Sequence, residues 1–511
     1  MRLTAFALAA ALMAGTAFAA PKAPPAASAQ SNTRAALERI RKLNPSINAV
    51  IATDPTAMDQ ARSLDRSRAG GALFGMPILI KDNIESVGPL PTTAGSLALA
   101  GNVTNRDAPL VARLRGAGAV IVGKTNLSEW ANIRDNSSIS GWSAYGGQTR
   151  NPHALNRNAC GSSSGSGAAV AAGMVPAAIG TETDGSVTCP ASINGIVGFK
   201  PSVGLVSRTH VVPISHSQDT PGPMTLTVRD AALILNAIAG SDPADPATAE
   251  ADAHRADYTA ALRPDALRGV RIGVMRFSAG FGTDVPFEAA LAVLRAQGAE
   301  LVEIREFSGR QEIGRNELVV LLAELKHDMN AYLATLPEAV RTRTLEQVIA
   351  FNAAHRAEEM PLFTQDLFEQ AQATEGLNAA YRTARETSLR LAGPEGIDRM
   401  LREHNVVALV APTRPAAWLI DAVHGDTSPG GGAAGTLAAV AGYPHLTVPM
   451  GEVRRLPVGL SFIGAKWDDA RILALGYAYE QASHRRIAPR FLPSIEESPD
   501  VAPHLRPAPR R

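Results

Sequence analysis

The chain has little cysteine, few aromatic residues and almost no net charge. Its 511 residues include 2 Cys and 5% aromatic residues, and 49 Lys and Arg balance 48 Asp and Glu to a formal net charge of +1. Such a balance provides no global field for nucleic acid or an anionic membrane surface, and it favours small neutral substrates. The 11 His and 2 Cys form no set with zinc-ligand spacing, so the sequence predicts no metal site.

No second long hydrophobic run follows the one at the N-terminus. Residues 1–19, MRLTAFALAAALMAGTAFA, combine the basic Arg2 with an apolar run and the small-residue site Ala17-Phe18-Ala19. This pattern is typical of a secretory signal peptide cleaved before Ala20, and the apolar stretch is short for a membrane span. We therefore expect a secreted or periplasmic protein without stable membrane insertion, in which residues 20–30 are a disordered linker.

The two cysteines, Cys160 and Cys189, both lie next to serine-containing motifs. Export would place them in an oxidising compartment, where a disulfide between them could form. Two buried thiols are the alternative. Because small buried thiols are common and the sequence does not give the distance between the two Cα atoms, the sequence favours thiols.

Alternation of helical and apolar segments predicts an α/β fold. Hydrophobic residues make up 45% of the chain, enough to bury a large core. Residues 34–45 have helical spacing closed by Pro45, and residues 110–124 and 291–304 each pass from an amphipathic helix to a short apolar strand. Further apolar runs at 270–275 and 406–412 predict strands, whereas residues 316–393 have helical spacing and predict a helical flank.

Lys81 follows the apolar run Met76–Ile80. A lysine is ordinarily a surface charge, but a lysine at the end of a buried strand would be removed from water. Burial lowers the pKa of a lysine because it disfavours the ammonium form, and a neutral amine can act as a general base.

Two serine motifs flank a small, apolar segment. They are CGSSSGSG at residues 160–167 and GTETDGS at residues 180–186. Alone, the first would be a flexible linker and the second an ordinary Asp-Gly turn. Residues 167–180 predict a packed helix followed by a buried strand, which places the motifs at the two ends of this unit. A turn after a strand can direct successive N–H groups at one oxyanion while presenting Ser186 for attack.

A Ser/His/Asp triad is the alternative arrangement. Residues 161–165, GSSSG, fit the GxSxG elbow with Ser163 at the centre. An elbow follows a buried strand, whereas polar residues 151–159 precede this loop, and no His lies in any of the three motifs. The sequence therefore favours a base, a relay hydroxyl and a nucleophile without histidine.

These motifs resemble the amidase signature family, whose pattern is a lysine after an apolar strand, a GSS loop and a G-T-x-x-G-S turn. The likeness continues through SQDTPGPM and AGYPHLTVPMG and covers roughly residues 31–490, which predicts one amidase domain followed by a tail at 491–511. Within the family, the chain is similar to the bacterial peptide amidases, secreted enzymes that remove ammonia from C-terminal peptide amides. The resemblance implies a large mixed β-sheet between helical layers.

The resemblance also implies residue roles. Lys81 is the base, Ser162 is the relay serine, expected in a cis peptide, and Ser186 is the nucleophile. An oxyanion hole would be formed by the backbone N–H groups of Thr183, Asp184, Gly185 and Ser186. The side chains that would support the site are Ser163, Asn126 and Asp219. The implied reaction needs no cofactor, and its partner is a small-molecule or peptide amide.

Two residues depart from the broad family pattern. Asp184 and Ser164 replace frequent glycines, as in the peptide-amidase branch, and Asp184 is interpreted mainly as a turn residue. The alternatives are a broad aliphatic or aryl amidase and a catalytically inactive amide-binding protein. A transamidation enzyme that modifies charged transfer RNA shares the core, but the predicted export and the balanced charge argue against it.

Overall fold

A computed structural model describes residues 28–67, 70–428 and 434–505. The predicted signal peptide and residues 20–27 of the predicted linker lie outside the described residues. The first helix begins at Ala29, where the Ser28 hydroxyl accepts a hydrogen bond from the Ser31 N–H at 3.1 Å. The predicted linker end at residue 30 is therefore two residues too late, because Ser28 caps the helix.

That helix also passes through Pro45, which was predicted to close it. It ends instead before Asn48, which adopts a left-handed conformation at φ 52° and donates its N–H to the Asn44 carbonyl at 2.7 Å. Asn tolerates this conformation better than most residues do, so Asn48, rather than Pro45, terminates the helix.

The described residues contain thirteen strands. They are β1 (Val50–Thr53), β2 (Pro77–Lys81), β3 (Val120–Thr125), β4 (Trp142–Ser143), β5 (Gly147–Gln148), β6 (Ala177–Glu182), β7 (Val197–Lys200), β8 (Thr220–Thr225), β9 (Arg271–Met275), β10 (Glu300–Ile304), β11 (Ala408–Pro412), β12 (His445–Val453) and β13 (Leu456–Ile463). All but β4 and β5 join one sheet in the order β1-β3-β2-β6-β8-β7-β12-β13-β11-β9-β10. The sheet is mixed, with parallel pairs such as β2–β6 beside antiparallel pairs such as β6–β8.

Helices cover this sheet. Those in the described residues are α1 (Ala29–Ile47), α2 (Ala57–Ser67), α3 (Pro109–Gly116), α4 (Ser164–Ala171), α5 (Thr188–Ile193), α6 (Val228–Ile238), α7 (Ala251–His254), α8 (Asp284–Ala296), α9 (Arg310–Ala334), α10 (Leu345–Ala354), α11 (Arg356–Glu359), α12 (Asp366–Ala373), α13 (Ala379–Ala392), α14 (Asp398–Glu403), α15 (Gly435–Ala441), α16 (Asp469–Ser483) and α17 (Ala502–Leu505). None of these helices is both long and apolar enough to cross a bilayer.

Strand β2 shows why the sheet has two buried faces. Ile78 and Ile80 join an apolar core with α3, α6, α8 and α16, whereas Leu79 joins a second core with α1, α2 and α4. Successive side chains of a strand point to opposite faces, so the strand is apolar throughout. The architecture confirms the predicted mixed sheet between helical layers. The same alternation puts Lys81 on the Leu79 face, towards α4.

Residues 310–403 form α9 to α14 and contain no strand. The first helices of this region pack through an apolar core on the loops that follow β2 and β3: Leu325 and Leu333 of α9 and Phe368 of α12 belong to one cluster with Leu99 and Trp130. The helical region therefore lies against the loops that leave the carboxyl ends of β2 and β3.

Candidate active site

Lys81 is the last residue of β2 and is fully buried, with 0% of its surface exposed. Its Nζ lies 2.7 Å from Ser162 Oγ, and it also contacts the hydroxyl and the carbonyl of Thr181 at 2.8 and 3.3 Å. Burial lowers the pKa of Lys81 to about 7, although the carboxylates of Asp219 and Glu182 raise it in part. The lysine and the first serine motif are thus in direct contact.

Thr181 connects the lysine to the serine loop, and the sequence motifs did not single it out. Its Oγ1 accepts hydrogen bonds from Lys81 and, at 3.0 Å, from the Asn83 amide. Its carbonyl accepts the Ser163 hydroxyl at 3.1 Å, and its N–H donates to the same hydroxyl at 3.2 Å. The first threonine of GTETDGS could have been identified from the sequence, since it lies one residue before the end of a buried strand.

The serine loop precedes α4 and is buried. Ser162 follows a cis peptide bond after Gly161, as the resemblance predicts, and its carbonyl accepts the Ser128 N–H at 3.0 Å. Gly165 has no room for a side chain, because a Cβ atom there would lie 2.1 Å from the Ala49 carbonyl oxygen. Ser163 bonds to Thr181 and has no histidine partner, which argues against the triad alternative.

The second serine motif forms a turn between β6 and α5. Glu182 fixes its far end, because one carboxylate oxygen accepts the N–H groups of Val187 and Thr188 at 2.8 and 2.9 Å. Gly185 has φ +81°, a left-handed conformation that glycine adopts without strain. The turn is held by a buried acidic side chain that sequence reasoning did not identify.

The N–H groups of the turn are available to a ligand. Within the described residues, four backbone N–H groups of the turn donate no hydrogen bond, namely those of Thr183, Asp184, Gly185 and Ser186. Successive unpaired N–H groups in a turn form a concave site that favours a negatively charged oxygen. A group of donors of this kind is able to stabilise an oxyanion.

Ser186 is half-buried and lies beside the serine loop, where its carbonyl accepts the Ser163 N–H at 3.2 Å. No hydrogen bond joins its hydroxyl to Ser162 Oγ or to any other described residue. The structure therefore places Lys81 in contact with Ser162 and joins Ser186 to the serine loop through a backbone hydrogen bond. The hydroxyl groups of Ser162 and Ser186 are not hydrogen-bonded to each other. Catalytic hydrogen bonds of this kind often tighten only when substrate binds.

Asp219 and Asn126 brace the site. Asp219 Oδ1 accepts the Thr183 hydroxyl at 2.5 Å, while Oδ2 accepts the N–H groups of Ile214 and Ser215 at 2.8 and 2.9 Å. Burial raises the pKa of Asp219 to about 6. The Asn126 amide donates to the Gly147 carbonyl at 2.9 Å and accepts the Ser143 hydroxyl at 2.8 Å, so it supports a loop beside α4 and makes no hydrogen bond to the side chains of Ser162, Ser163 or Ser186.

Asp184 of the turn interacts with other charged side chains. Its Oδ2 accepts the Thr436 hydroxyl at 2.8 Å, and burial raises its pKa while the nearby Arg414 opposes this shift. Burial and the charge of Asp184 raise the pKa of Glu317 to about 8, and Glu317 accepts the Gln218 amide at 2.9 Å. Asp184 is therefore more than a turn residue, because it belongs to a polar cluster that sequence reasoning missed.

A cavity of about 590 Å³ borders this cluster. Glu317 and Thr436 line it together with the apolar side chains of Phe307, Ile313 and Leu437. The cavity is connected to the turn through Thr436, which bonds to Asp184, and it has the size and mixed polarity of a small-ligand site.

Cys160 and Cys189 form a disulfide bond, with their Cα atoms 6.1 Å apart. The sequence favoured two buried thiols, and this expectation is wrong. The turn and α5 return the chain to the start of the serine loop, so the two cysteines meet although 29 positions separate them in the sequence.

Comparison with known proteins identifies the family. The model of the amidase family matches residues 31–473. The native peptide amidase of Stenotrophomonas maltophilia is 49% identical with a TM-score of 0.86, over 91% of this chain and 95% of that one. A probable amidase of Arabidopsis thaliana is 39% identical over 472 residues, which are 89% of this chain and 87% of the relative. A putative amidase of Arthroderma benhamiae is 36% identical over 479 residues, which are 88% of this chain and 78% of the relative. The chain belongs to the amidase signature family and is a hydrolase that acts on amide C–N bonds.

Proposed function

We propose that this amidase hydrolyses the C-terminal amides of peptides through an acyl-enzyme on Ser186, with Ser162 as relay and Lys81 as base. The observation that carries the proposal is the 2.7 Å contact between the buried Lys81 Nζ and Ser162 Oγ. A neutral amine has two N–H groups and one lone pair. Thr181 provides acceptors for the N–H groups, which leaves the lone pair for the proton of Ser162.

In the acylation step, Ser186 Oγ attacks the amide carbonyl carbon and passes its proton to Ser162, whose own proton moves to Lys81. The C–N bond then breaks, and the protons return through Ser162 to the departing ammonia. Water attacks the resulting ester by the same relay and releases the carboxylate. The cycle leaves all three side chains as they began and consumes one water.

The unpaired N–H groups of the turn support the same chemistry. The carbonyl oxygen becomes negative as Ser186 attacks, and donors already directed at that position stabilise the transition state more than the bound amide. We infer that Thr183, Asp184, Gly185 and Ser186 supply these donors.

The preference for peptides rests on the cavity and on the relatives. A space of about 590 Å³ with an apolar wall, lined in part by Thr436, which bonds to Asp184 of the turn, can hold the residues that precede the scissile amide. The 49% identity to a peptide amidase over most of both chains supports the same substrate class. Broad aliphatic or aryl amides are the alternative substrates, and they would leave most of this cavity unused.

Ammonia release from an N-acetylated dipeptide amide tests the proposal. The wild-type enzyme should prefer this substrate to acetamide in kcat/KM, and Ser186→Ala should remove the activity. With hydroxylamine present, the peptide amide and the matching peptide ester should give the same ratio of hydroxamate to acid, because both pass through one acyl-enzyme.

Ser137→Ala is the matched control, since Ser137 is an exposed serine outside the site. It should retain wild-type rates. Full activity in Ser186→Ala would contradict the assignment of the nucleophile. Turnover of acetamide alone would indicate a general amidase, and binding without turnover of either substrate would indicate an inactive amide-binding protein.

We also propose that the enzyme is exported. The N-terminal sequence pattern and the disulfide Cys160–Cys189 support this, because disulfides persist mainly in oxidising compartments.

A further inference from the structure

A cluster of metal-ligand side chains lies outside the site described above. His216 is in the loop that leads to Asp219, and His327 and Asp328 are on α9. One ligand atom from each of the three residues falls within 4.8 Å of the others. We propose that His216, His327 and Asp328 form a binding site for one divalent transition metal of the zinc class.

The separations of the ligand atoms fit such an ion. His216 Nδ1 lies 2.9 Å from Asp328 Oδ2, and His327 Nδ1 lies 2.8 Å from Asp328 Oδ1. A tetrahedral zinc ion with bonds of about 2.0–2.1 Å holds neighbouring ligand atoms about 3.3 Å apart. The two N–O separations need to widen by about half an ångström, and the histidine nitrogens, which lie within 4.8 Å of each other, need to come to about 3.3 Å. Rotation of the exposed histidine side chains can supply both movements.

The second nitrogen of His216 lies beside a carboxylate and a tyrosine hydroxyl, each 3.3 Å away. Its Nε2 lies 3.3 Å from Glu324 Oε1, and the same oxygen accepts the Tyr381 hydroxyl at 2.7 Å. A histidine that binds zinc almost always donates its other N–H to a carboxylate or a carbonyl, which fixes the tautomer that frees the ligating nitrogen. Asp328 is also held, because its Oδ2 accepts the His216 backbone N–H at 2.9 Å.

The cluster is open to solvent on one side. The side chains of His216 and His327 are 42% and 57% exposed, whereas Asp328 is only 12% exposed. An ion can therefore enter, and water can complete its coordination. Three protein ligands of the types N, N and O with an open position suit zinc better than magnesium or calcium, which prefer oxygen ligands.

Occupancy would tie the loop to α9. The loop already contacts that helix through Ser217, whose hydroxyl donates to Glu324 at 3.0 Å. It also carries the Ile214 and Ser215 N–H groups that bind Asp219, a brace of the nucleophile turn. The sequence could not indicate this site, because 112 positions separate His216 from Asp328.

Calorimetric titration of the metal-stripped full chain with Zn²⁺ tests the proposal. We expect one site per chain and a rise in Tm of about 2 °C or more at saturating Zn²⁺. His327→Ala and His216→Ala should each weaken the affinity by about 10-fold or more. Among the described residues, the His327 side chain hydrogen-bonds to Asp328 and its ring meets that of His216 edge-on at 6.1 Å. The side chain is 57% exposed, so this variant should fold normally, as circular dichroism would verify.

His424→Ala is the matched control. His424 Nδ1 lies 2.8 Å from Asp421 Oδ2, which gives the same His–Asp pair without a second histidine. This variant should bind Zn²⁺ like the wild type. The proposal is overturned if the wild-type chain shows no one-site binding, if His327→Ala binds with unchanged affinity, or if Mg²⁺ competes at equal concentration.

Discussion

Lys81 combines a charged residue type with complete burial. Its side chain is 0% exposed, and the removal of its amine from water lowers its pKa to about 7. Lys124 and Lys200 are buried as well, and burial lowers the pKa of each to about 8. Only Lys81 of these three contacts a serine hydroxyl at 2.7 Å, so position and not burial alone distinguishes it.

A pH profile tests the role of Lys81. If its neutral form is the base, kcat/KM should rise with pH through an apparent pKa of about 7, because protonated Lys81 is inactive below that pH. Lys81→Met should lose about 10²- to 10⁴-fold in kcat/KM, measured by ammonia release across pH 5 to 9.

Two further variants sharpen this test. Lys200→Met removes a buried lysine whose amine donates to the Pro201 carbonyl at 3.2 Å and that interacts through its charge with Glu182, Asp469 and Asp184. Its amine bonds to no serine hydroxyl among the described residues, so the rise near pH 7 should persist. Asp219→Asn should move the rise to lower pH, since the Asp219 charge raises the pKa of Lys81. A Lys81→Met enzyme with the wild-type pH profile would show that another group is the base.

At the scale of elements, the turn between β6 and α5 sets the direction of four N–H groups. Gly185 has φ +81°, and a Cβ atom at this position would lie 3.1 Å from an Arg414 nitrogen. A side chain there is strained by the backbone and crowded by the guanidinium. The path of the backbone is therefore as important to the proposed oxyanion hole as the serine itself.

Gly185→Ala should reduce kcat by about 100-fold or more while the protein stays folded, because misdirected donors fail to stabilise the transition state. Steady-state kinetics with the peptide amide would measure this loss. Gly173→Ala is the control, since Gly173 also has a positive φ, at +72°, but a Cβ there meets nothing within 4 Å. Equal losses of kcat in both variants would assign the effect to general strain.

The disulfide joins the two serine elements. Closing a loop whose ends lie 29 positions apart removes conformational freedom from the unfolded chain, and the double variant Cys160→Ala/Cys189→Ala should lose about 3–4 kcal/mol of unfolding free energy. Urea denaturation of the oxidised, reduced and variant chains would measure it. Addition of reductant should destabilise the wild type and leave the variant unchanged, and a response of both to reductant would point to another cause.

The serine motifs and the lysine were predictable at this scale because each sits at the end of a buried apolar run. The run before Lys81 became β2, and the small apolar segment between the motifs became α4 and β6. Arg414 and Glu317 were not predictable, since they reach the turn from β11 and α9 regions far along the chain. The disulfide was missed for the same reason: sequence distance does not give the Cα separation.

For the whole molecule, the sequence predicted the α/β class but not the strand order. Strand β2 pairs with β3 and β6 in parallel, whereas β6 pairs with β8 in the opposite direction. Such pairings depend on which apolar faces meet after long connections, and local periodicity carries no information about them. The resemblance to a known family supplied the mixed sheet that the periodicity could not.

The proposed export concerns the entire chain and has a direct test. Expression in a bacterium with an intact secretion system should give a periplasmic or secreted protein. Its intact mass should be that of a chain that starts at Ala20. Ala19→Arg should block cleavage and keep the precursor with the membrane, because the cleavage site requires a small residue. A cytoplasmic product that retains residues 1–19 would contradict the proposal.

The Cys160–Cys189 bond also makes residues 160–189 a covalent ring that contains Ser162 and Ser186 but not Lys81. One peptide bond cut inside this ring opens it without separating the two serines, since the sulfur atoms still hold both pieces. A protease that nicks the enzyme there would yield one species in non-reducing electrophoresis and two fragments after reduction. Two cuts within the ring, or one cut and a reductant, are needed to part the serines.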